Sequence, residues 1–361
     1  MEIILILTAL ILSFSLVLVV VPPIIRIAKA KHLFEPFEER KVHTQVVPPL
    51  GGVAIFIGFI MSSIIATDGL RFESFKYIIA GVILMFFIGL KDDLMVISAR
   101  KKFIVQILSA IILITLADIR FTNLHGIFGE SNIGYLTSFS ITLFTMLAII
   151  NAFNLIDGVD GLAAGLGMLA AFVFGVWFYL TQNFHLSVLA FALLGSLAAY
   201  FLYNVFGHRN KLFMGDTGSL ITGLLISVFV IYFNEINLTT SKEFVVGGAP
   251  AVSFAIIIVP LIDTLRVMTI RILQRRSPFS PDRNHTHHRL LTLLHSHLKV
   301  TLTIVGGNVF LIAVALGINH WGVNVNLQLI IVFLLGCILA MIPSVILRFK
   351  ASRQKFRPAK A

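Results

Sequence analysis

The sequence predicts an all-α, polytopic integral membrane protein of about 11 transmembrane helices, N-terminus outside and C-terminus cytoplasmic. Three observations carry this. Of 361 residues, 58% are hydrophobic and 12% charged, whereas soluble domains are about 45–50% apolar and about 25% charged. Apolar stretches of roughly 20 residues, the length that crosses a bilayer, recur along the whole chain. Lys and Arg gather on alternate connecting loops, as they do where basic residues are retained inside the cell.

The spans run near 3–25, 50–67, 76–91, 102–118, 136–153, 161–181, 186–206, 217–234, 249–273, 300–319 and 327–348. Each is continuously apolar, not alternating, which excludes a β-barrel. With this count, 24 of the 28 Lys and Arg fall on one side, and only Arg71, Lys76, Arg120 and Lys242 fall on the other. The richer side is assigned to the cytoplasm. The first stretch has no basic residue before it and ends at Pro22-Pro23 without a small-residue cleavage site, so it reads as a retained span. Residues 1–348 form one transmembrane catalytic domain, with candidate site loops near 40–52, 91–102, 151–161, 207–219 and 274–299. Residues 349–361 form a basic cytoplasmic tail.

The formal net charge of +11 suits orientation, lipid headgroups and anionic substrates, and no nucleic acid is expected as a partner. The single cysteine, Cys337, excludes an intrachain disulfide and a cysteine metal site. No internal repeat is evident, which weakens a transporter of inverted repeats. A transporter also requires charges near mid-span. Here Asp92, Asp93, Asp157, Asp160, Asp216, Asp263 and Asp282 are all assigned to cytoplasmic span ends or loops. Carboxylates at a membrane boundary face a protein interior or an aqueous cleft.

Adjacent Asp92 and Asp93 repel each other, so they call for a nearby cation: a metal, or Lys91, Lys101 or Lys102. One can bind Mg²⁺ while the other takes a proton; the plain alternative is a solvated helix end. Asn151, Asn154, Asp157 and Asp160 are spaced by three, and Gly158 and Gly161 suggest a helix break that lets their oxygens converge. Oxygen ligands suit a hard cation. Phe213-Met-Gly-Asp-Thr-Gly-Ser219 puts Asp216 in a turn opening a span, where free helix amides can hold phosphate. His285, His287 and His288 admit phosphate or sugar binding, a transition metal, or mere surface exposure. The flanking Arg283 and Arg289 favour phosphate over a cation. Together these groups suit phosphoryl transfer between a soluble nucleotide and a membrane-held acceptor.

Several ordered motifs resemble the polyprenyl-phosphate N-acetylhexosamine-1-phosphate transferase superfamily (glycosyltransferase family 4). They are Arg40-Lys-Val-His43, Pro48-Pro-Leu-Gly-Gly52, Asp92-Asp93, Asn151 to Gly161, Phe213 to Ser219 and Asp282-Arg-x-His-x-His-His-Arg289. Thr286 interrupts the three consecutive histidines usual in the phospho-N-acetylmuramoyl-pentapeptide transferase branch. The last motif is closer to the branch that uses UDP-GlcNAc for O-antigen, common-antigen or teichoic acid linkage units. One departure is that Glu35 directly precedes Pro36, where this branch often shows Asp-x-Pro-x-x-Arg-Lys.

The resemblance implies Mg²⁺, with Mn²⁺ as a substitute, held by Asp216 with Asn154 on the donor diphosphate. It implies that Asp92 deprotonates or orients undecaprenyl phosphate with support from Asp93, and that Lys102 and His43 position phosphates. Asp160 and Phe213 would hold uracil, Asp157 counts with substrate binding, and Arg283, His285, His287 and His288 would face the sugar phosphate. The implied partners are UDP-GlcNAc, undecaprenyl phosphate and membrane lipids, and a homodimer is left open. The implied setting is the bacterial inner membrane with the site facing the cytoplasm.

Overall fold

The computed structural model describes residues 2–33, 47–67, 72–207, 210–241, 243–275 and 285–355. They form α1 (Glu2–Ala30), α2 (Gly51–Ala66), α3 (Phe75–Leu94), α4 (Ala99–Leu116), α5 (Tyr135–Ile156) and α6 (Leu162–Leu180). These are followed by α7 (Phe184–Phe206), α8 (Gly215–Ile236), α9 (Ala249–Leu273), α10 (Thr286–Leu294), α11 (His297–His320) and α12 (Val325–Lys355). Every expected span coincides with one helix. Eight of the helices are long and apolar enough to cross a membrane. α2, with 16 residues, is a shorter apolar helix, and α3 and α4 each carry a charged end, Lys91-Asp92-Asp93 and Arg100-Lys101-Lys102. The protein is an all-helical, multi-pass membrane protein.

Apolar side chains point outward as well as inward: Val19, Leu136 and Phe144 are each at least 70% exposed. That surface suits lipid and would be a liability in water. α8 lies at the centre, buried without a break from Thr217 to Ile231, as expected of a helix that is apolar on all sides. α9 carries Pro260 in its interior. Proline has no N–H, so the carbonyl of Ile256 loses its helical donor. The buried Asn308 of α11 supplies one instead, donating from Nδ2 to the Ile256 oxygen at 3.1 Å. This ties α11 to α9.

Two elements escape the sequence pattern. The segment between α4 and α5 folds back on itself through a bridge of Asn123 with Asn132. Glu235 at the end of α8 anchors it, accepting from Thr122 N–H at 2.7 Å and from Thr122 Oγ1 at 2.6 Å. The second element is α10, nine residues whose Leu290, Leu291 and Leu294 pack on the core. It reads as a polar loop in sequence because histidine, arginine and threonine outnumber its leucines.

Candidate active site

The candidate residues meet where α3 and α5 end and α4 and α8 begin. The start of α8 is squeezed between α2 and α3. A Cβ on Gly52 would collide with the backbone of Gly218 and with Thr217, and one on Gly89 would strike the backbone of Thr217. Only glycine permits these approaches. The Pro48–Gly52 motif adds hydrogen bonds: Gly51 and Gly52 donate to the carbonyls of Phe213 and Met214 at 2.8 and 2.9 Å, and Phe213 donates to Pro48 at 3.1 Å. The Gly-Asp-Thr-Gly turn is therefore braced on two sides.

Asp93 completes that brace. Its Oδ1 accepts from Asp216 N–H at 2.7 Å, and its Oδ2 accepts from Thr217 N–H at 3.1 Å and Thr217 Oγ1 at 2.5 Å. It thus caps α8 from a neighbouring helix, satisfying amides that lack an intrahelical acceptor. The sequence expectation that these amides are open to phosphate is corrected here: the amides of Asp216 and Thr217 are occupied. Asp92 points elsewhere, accepting from Ile97 N–H at 2.8 Å and from Lys102 Nζ at 2.8 Å. Lys102 also donates to Asp216 Oδ2 at 2.5 Å. The cation that the paired carboxylates call for is Lys102, shared between Asp92 and Asp216.

α5 ends at Ile156 and α6 starts at Leu162, with Gly161 at φ +77° turning the chain between them. The break falls where Gly158 and Gly161 suggest it. The oxygens spaced by three nevertheless disperse. Asn151 pairs with Gln106 of α4, donating to Oε1 at 2.8 Å. Asn154 turns its amide nitrogen to Asp216 Oδ1 at 3.0 Å and Ser219 Oγ at 2.9 Å. Asp160 binds Lys211 Nζ at 2.6 Å and lies 3.3 Å from His297 Nδ1. Asp157 makes no hydrogen bond or ion pair among the described residues. Burial, with Asp216, Asp93 and Asp160 nearby, pushes its carboxyl up to about 8. Asp157 thus has no positive partner among the described residues and feels the charge of Asp216, and carboxylate oxygens of this kind are donors for a hard divalent cation. Asn154, as oriented here, steadies Asp216 through an N–H.

Lys211 lies 5.8 Å from the centroid of the Phe213 ring, so Asp160, Lys211 and Phe213 form one polar-aromatic patch. Asp263 is not at a helix end but inside α9, where its Oδ2 meets His285 Nδ1 at 3.0 Å and His287 Nδ1 at 3.1 Å. Both rings are buried, and His288 lies beside them, half-buried, its ring 4.4 Å from that of His287. His287 also reaches the break after α5, its Nε2 standing 2.6 Å from where a Cβ on Gly158 would lie. His43, Arg283, Asp282 and Glu35 lie outside the described residues.

Lys211, His297 and Gln106 carry no motif signal of their own. Gln106 could have been found, since it stands one turn after Lys102 on the same face of α4. His297 could not: it is 137 residues from Asp160 in the chain.

Below this cluster, an apolar cavity of about 660 Å³ runs between α4, α5, α9 and α12. Phe103, which follows Lys102 in the chain, and Asn151 line one end; Phe121 and His125 line the other.

The glycosyl transferase family 4 profile matches residues 75–234, the stretch holding Asp92, Asp93, Lys102, Asn154, Asp157, Asp160, Phe213 and Asp216 but not the histidines. Full-length likeness decides the matter. A probable undecaprenyl-phosphate N-acetylglucosaminyl 1-phosphate transferase of Bacillus subtilis is 30% identical over 355 residues, 98% of this chain and 94% of that protein. The chain belongs to glycosyl transferase family 4. Its undecaprenyl-phosphate alpha-N-acetylglucosaminyl 1-phosphate transferase relative in Escherichia coli K12 is 31% identical over 74% of this chain and 71% of that protein. A decaprenyl-phosphate N-acetylglucosaminephosphotransferase of Mycobacterium leprae is 32% identical over 74% and 72%. This family 4 protein is a phosphoglycosyltransferase.

Proposed function

We propose that the protein transfers GlcNAc-1-phosphate from UDP-GlcNAc to undecaprenyl phosphate, giving GlcNAc-diphospho-undecaprenol and UMP. The observation that carries this is the apolar cavity whose Phe103–Asn151 end adjoins, along the chain of α4, the Lys102 that pairs with Asp92 and Asp216. A phosphate at the head of a long hydrocarbon chain fits that junction and no soluble acceptor needs it. The named relatives act on polyprenyl phosphates, which supports the same acceptor class here. The product would begin a cell-envelope polysaccharide.

In this scheme an oxygen of the lipid phosphate attacks the β-phosphorus, which carries the sugar. The bond from that phosphorus to the bridging oxygen breaks, and the electron pair leaves with UMP. Lys102 would meet phosphate charge, and Asp92 would orient the acceptor or take its proton. Asp216 and Asp157 would hold Mg²⁺, or Mn²⁺ in its place, which neutralises diphosphate charge when bound. The Asp160–Lys211–Phe213 patch supports uracil binding by stacking and hydrogen bonding. Asp93 is committed to α8 and Asp92 to Lys102 and Ile97, so neither carboxylate stands ready as a nucleophile. That favours direct displacement over an aspartyl-phosphate intermediate.

Purified protein with UDP-GlcNAc, undecaprenyl phosphate and Mg²⁺ should release UMP, and a panel of UDP-sugars tests the donor. UMP exchange into UDP-GlcNAc without lipid would sink the direct route. Eleven crossings with the site in the cytoplasm accord with the distribution of basic residues. In a Cys337→Ser background, Ser131→Cys should react with an impermeant maleimide on intact cells and Ser98→Cys should not. The reverse pattern would invert the topology.

A further inference from the structure

A buried polar cluster stands beside the site with no role in the displacement just described. Asp263 is 2% exposed, His285 5% and His287 1%. Asp263 Oδ1 accepts from Thr286 N–H at 2.6 Å, while Oδ2 faces both histidine Nδ1 atoms at 3.0 and 3.1 Å. An ionised carboxylate is an acceptor only, so each Nδ1 must carry the hydrogen. Nε2 is then the atom each ring has left to use. For His287 that atom is directed at Gly158, adjoining Asp157 in the break between α5 and α6. A side chain at Gly158 would block it, since a Cβ there would stand 2.6 Å from Nε2. The turn is shaped to admit this nitrogen.

We propose that Asp263 is a positioning residue: it holds His287 with hydrogen on Nδ1 and presents Nε2 to the Asp157–Gly158 turn as the atom that meets the substrate diphosphate. Carrying a proton there, Nε2 donates a charge-assisted hydrogen bond to a phosphate oxygen, and Asp263 balances the ring's charge from the far side. His285 shares the same carboxylate and stacks on His287 with ring centroids 5.1 Å apart, which restrains the ring's rotation. The role of His287 rests on the transfer reaction proposed above; the tautomer does not.

The rival for the same atoms is a transition metal, because Asp263 Oδ2 and the two Nδ1 atoms form a compact ligand set. Under that alternative both Nδ1 atoms are bare and metal-bound. The two arrangements separate by experiment. Protein labelled with ¹⁵N-histidine should show one ring, absent in His287→Gln, with hydrogen on Nδ1. Asp263→Asn places an amide donor against that ring and should move the hydrogen to Nε2. It should lower kcat by about 10²-fold while KM for UDP-GlcNAc changes less than about 3-fold, as expected when a tautomer is wrong. Asp263→Glu should recover part of the rate, and Asp263→Asn should cost little more in a His287→Gln background. Hydrogen on Nε2 with a bare Nδ1 in the wild type would overturn the proposal, as would one zinc per chain by elemental analysis. Parallel losses of kcat and unfolding temperature in both Asp263 variants would reduce Asp263 to a packing residue. Wild-type protein without transferase activity would remove the reaction, while the nitrogen spectra would still decide the tautomer.

Discussion

Replacing Asp93 by Asn tests whether this carboxylate works through α8 or through substrate. It accepts three hydrogen bonds, two from backbone amides and one from Thr217 Oγ1. Hydrogen bonds to a charged group contribute about 1.5–3 kcal/mol each. With its oxygen at the Oδ2 position, Asn keeps both Thr217 donors and turns its NH₂ against Asp216 N–H, so one bond is lost and two fall to the neutral range of about 0.5–1.5 kcal/mol, on the order of 3–6 kcal/mol in all. If about half of that falls on the placement of Asp216 and the rest on overall stability, transfer drops roughly 10- to 10²-fold at 1.4 kcal/mol per decade. The unfolding temperature falls with it. Thr217→Val removes only the hydroxyl donor and should move both quantities in the same direction by less. The assay is UMP release from purified protein in lipid nanodiscs, paired with thermal unfolding of the same samples. A dead Asp93→Asn enzyme with wild-type unfolding temperature, together with a silent Thr217→Val, would refute the capping role and return Asp93 to the substrate or the metal.

Three further outcomes follow from the same geometry. Lys102→Gln leaves Asp92 and Asp216 without their shared ammonium; transfer should fall about 10²-fold and the Mg²⁺ midpoint in thermal-shift titrations should move to lower concentration. An unchanged midpoint would separate Lys102 from the cation site. Asp157 has its folded pKa raised to about 8 from an ordinary value of 3.8, so its favourable contribution is full below the ordinary value and is lost as pH rises through about 8. Metal-free protein should therefore lose stability over that window, Mg²⁺ should stabilise it more at pH 8.5 than at pH 6, and Asp157→Asn should flatten both trends. Gly52→Ala forces a methyl into the α8 backbone and should cost about 1–3 kcal/mol or more of stability with loss of transfer, whereas Gly306→Ala, with open space around it, should be tolerated when unfolding temperatures are compared.

The helices were readable because bilayer crossing demands long apolar runs, and eleven such runs recur as helices. α10 was not, since a nine-residue amphipathic helix needs only three or four apolar positions. At the site, residue types and neighbourhood could be read, but not the direction in which each side chain points. Asp92 and Asp93 are adjacent in sequence, yet one reaches α4 and the other α8. Spacing by three in Asn151, Asn154, Asp157 and Asp160 marks a helix end correctly. It cannot say that Asn151 pairs across to Gln106 or that Asp160 takes Lys211, because those partners come from other helices. Asp263 was misplaced for the same reason: its meaning lies in His285 and His287, which arrive from another element.

The charge balance of the cluster argues for a divalent cation independently of any motif. Asp92, Asp93, Asp157, Asp160 and Asp216 stand together with Lys102 and Lys211 as the described lysine partners. Fully ionised, that is an excess of three negative charges in a partly dehydrated recess, where each charge is costly unless paired. Both proposed substrates are themselves anions and would be repelled from such a recess. Protonating a carboxylate relieves part of the excess, and the elevated pKa of Asp157 expresses this. It does nothing to attract a diphosphate. A divalent cation on Asp157 and Asp216, as proposed, would do both, lowering the excess to one and attracting phosphate oxygens. On the proposed function a hard cation would complete the recess, and the same imbalance explains why Lys102 bridges two carboxylates.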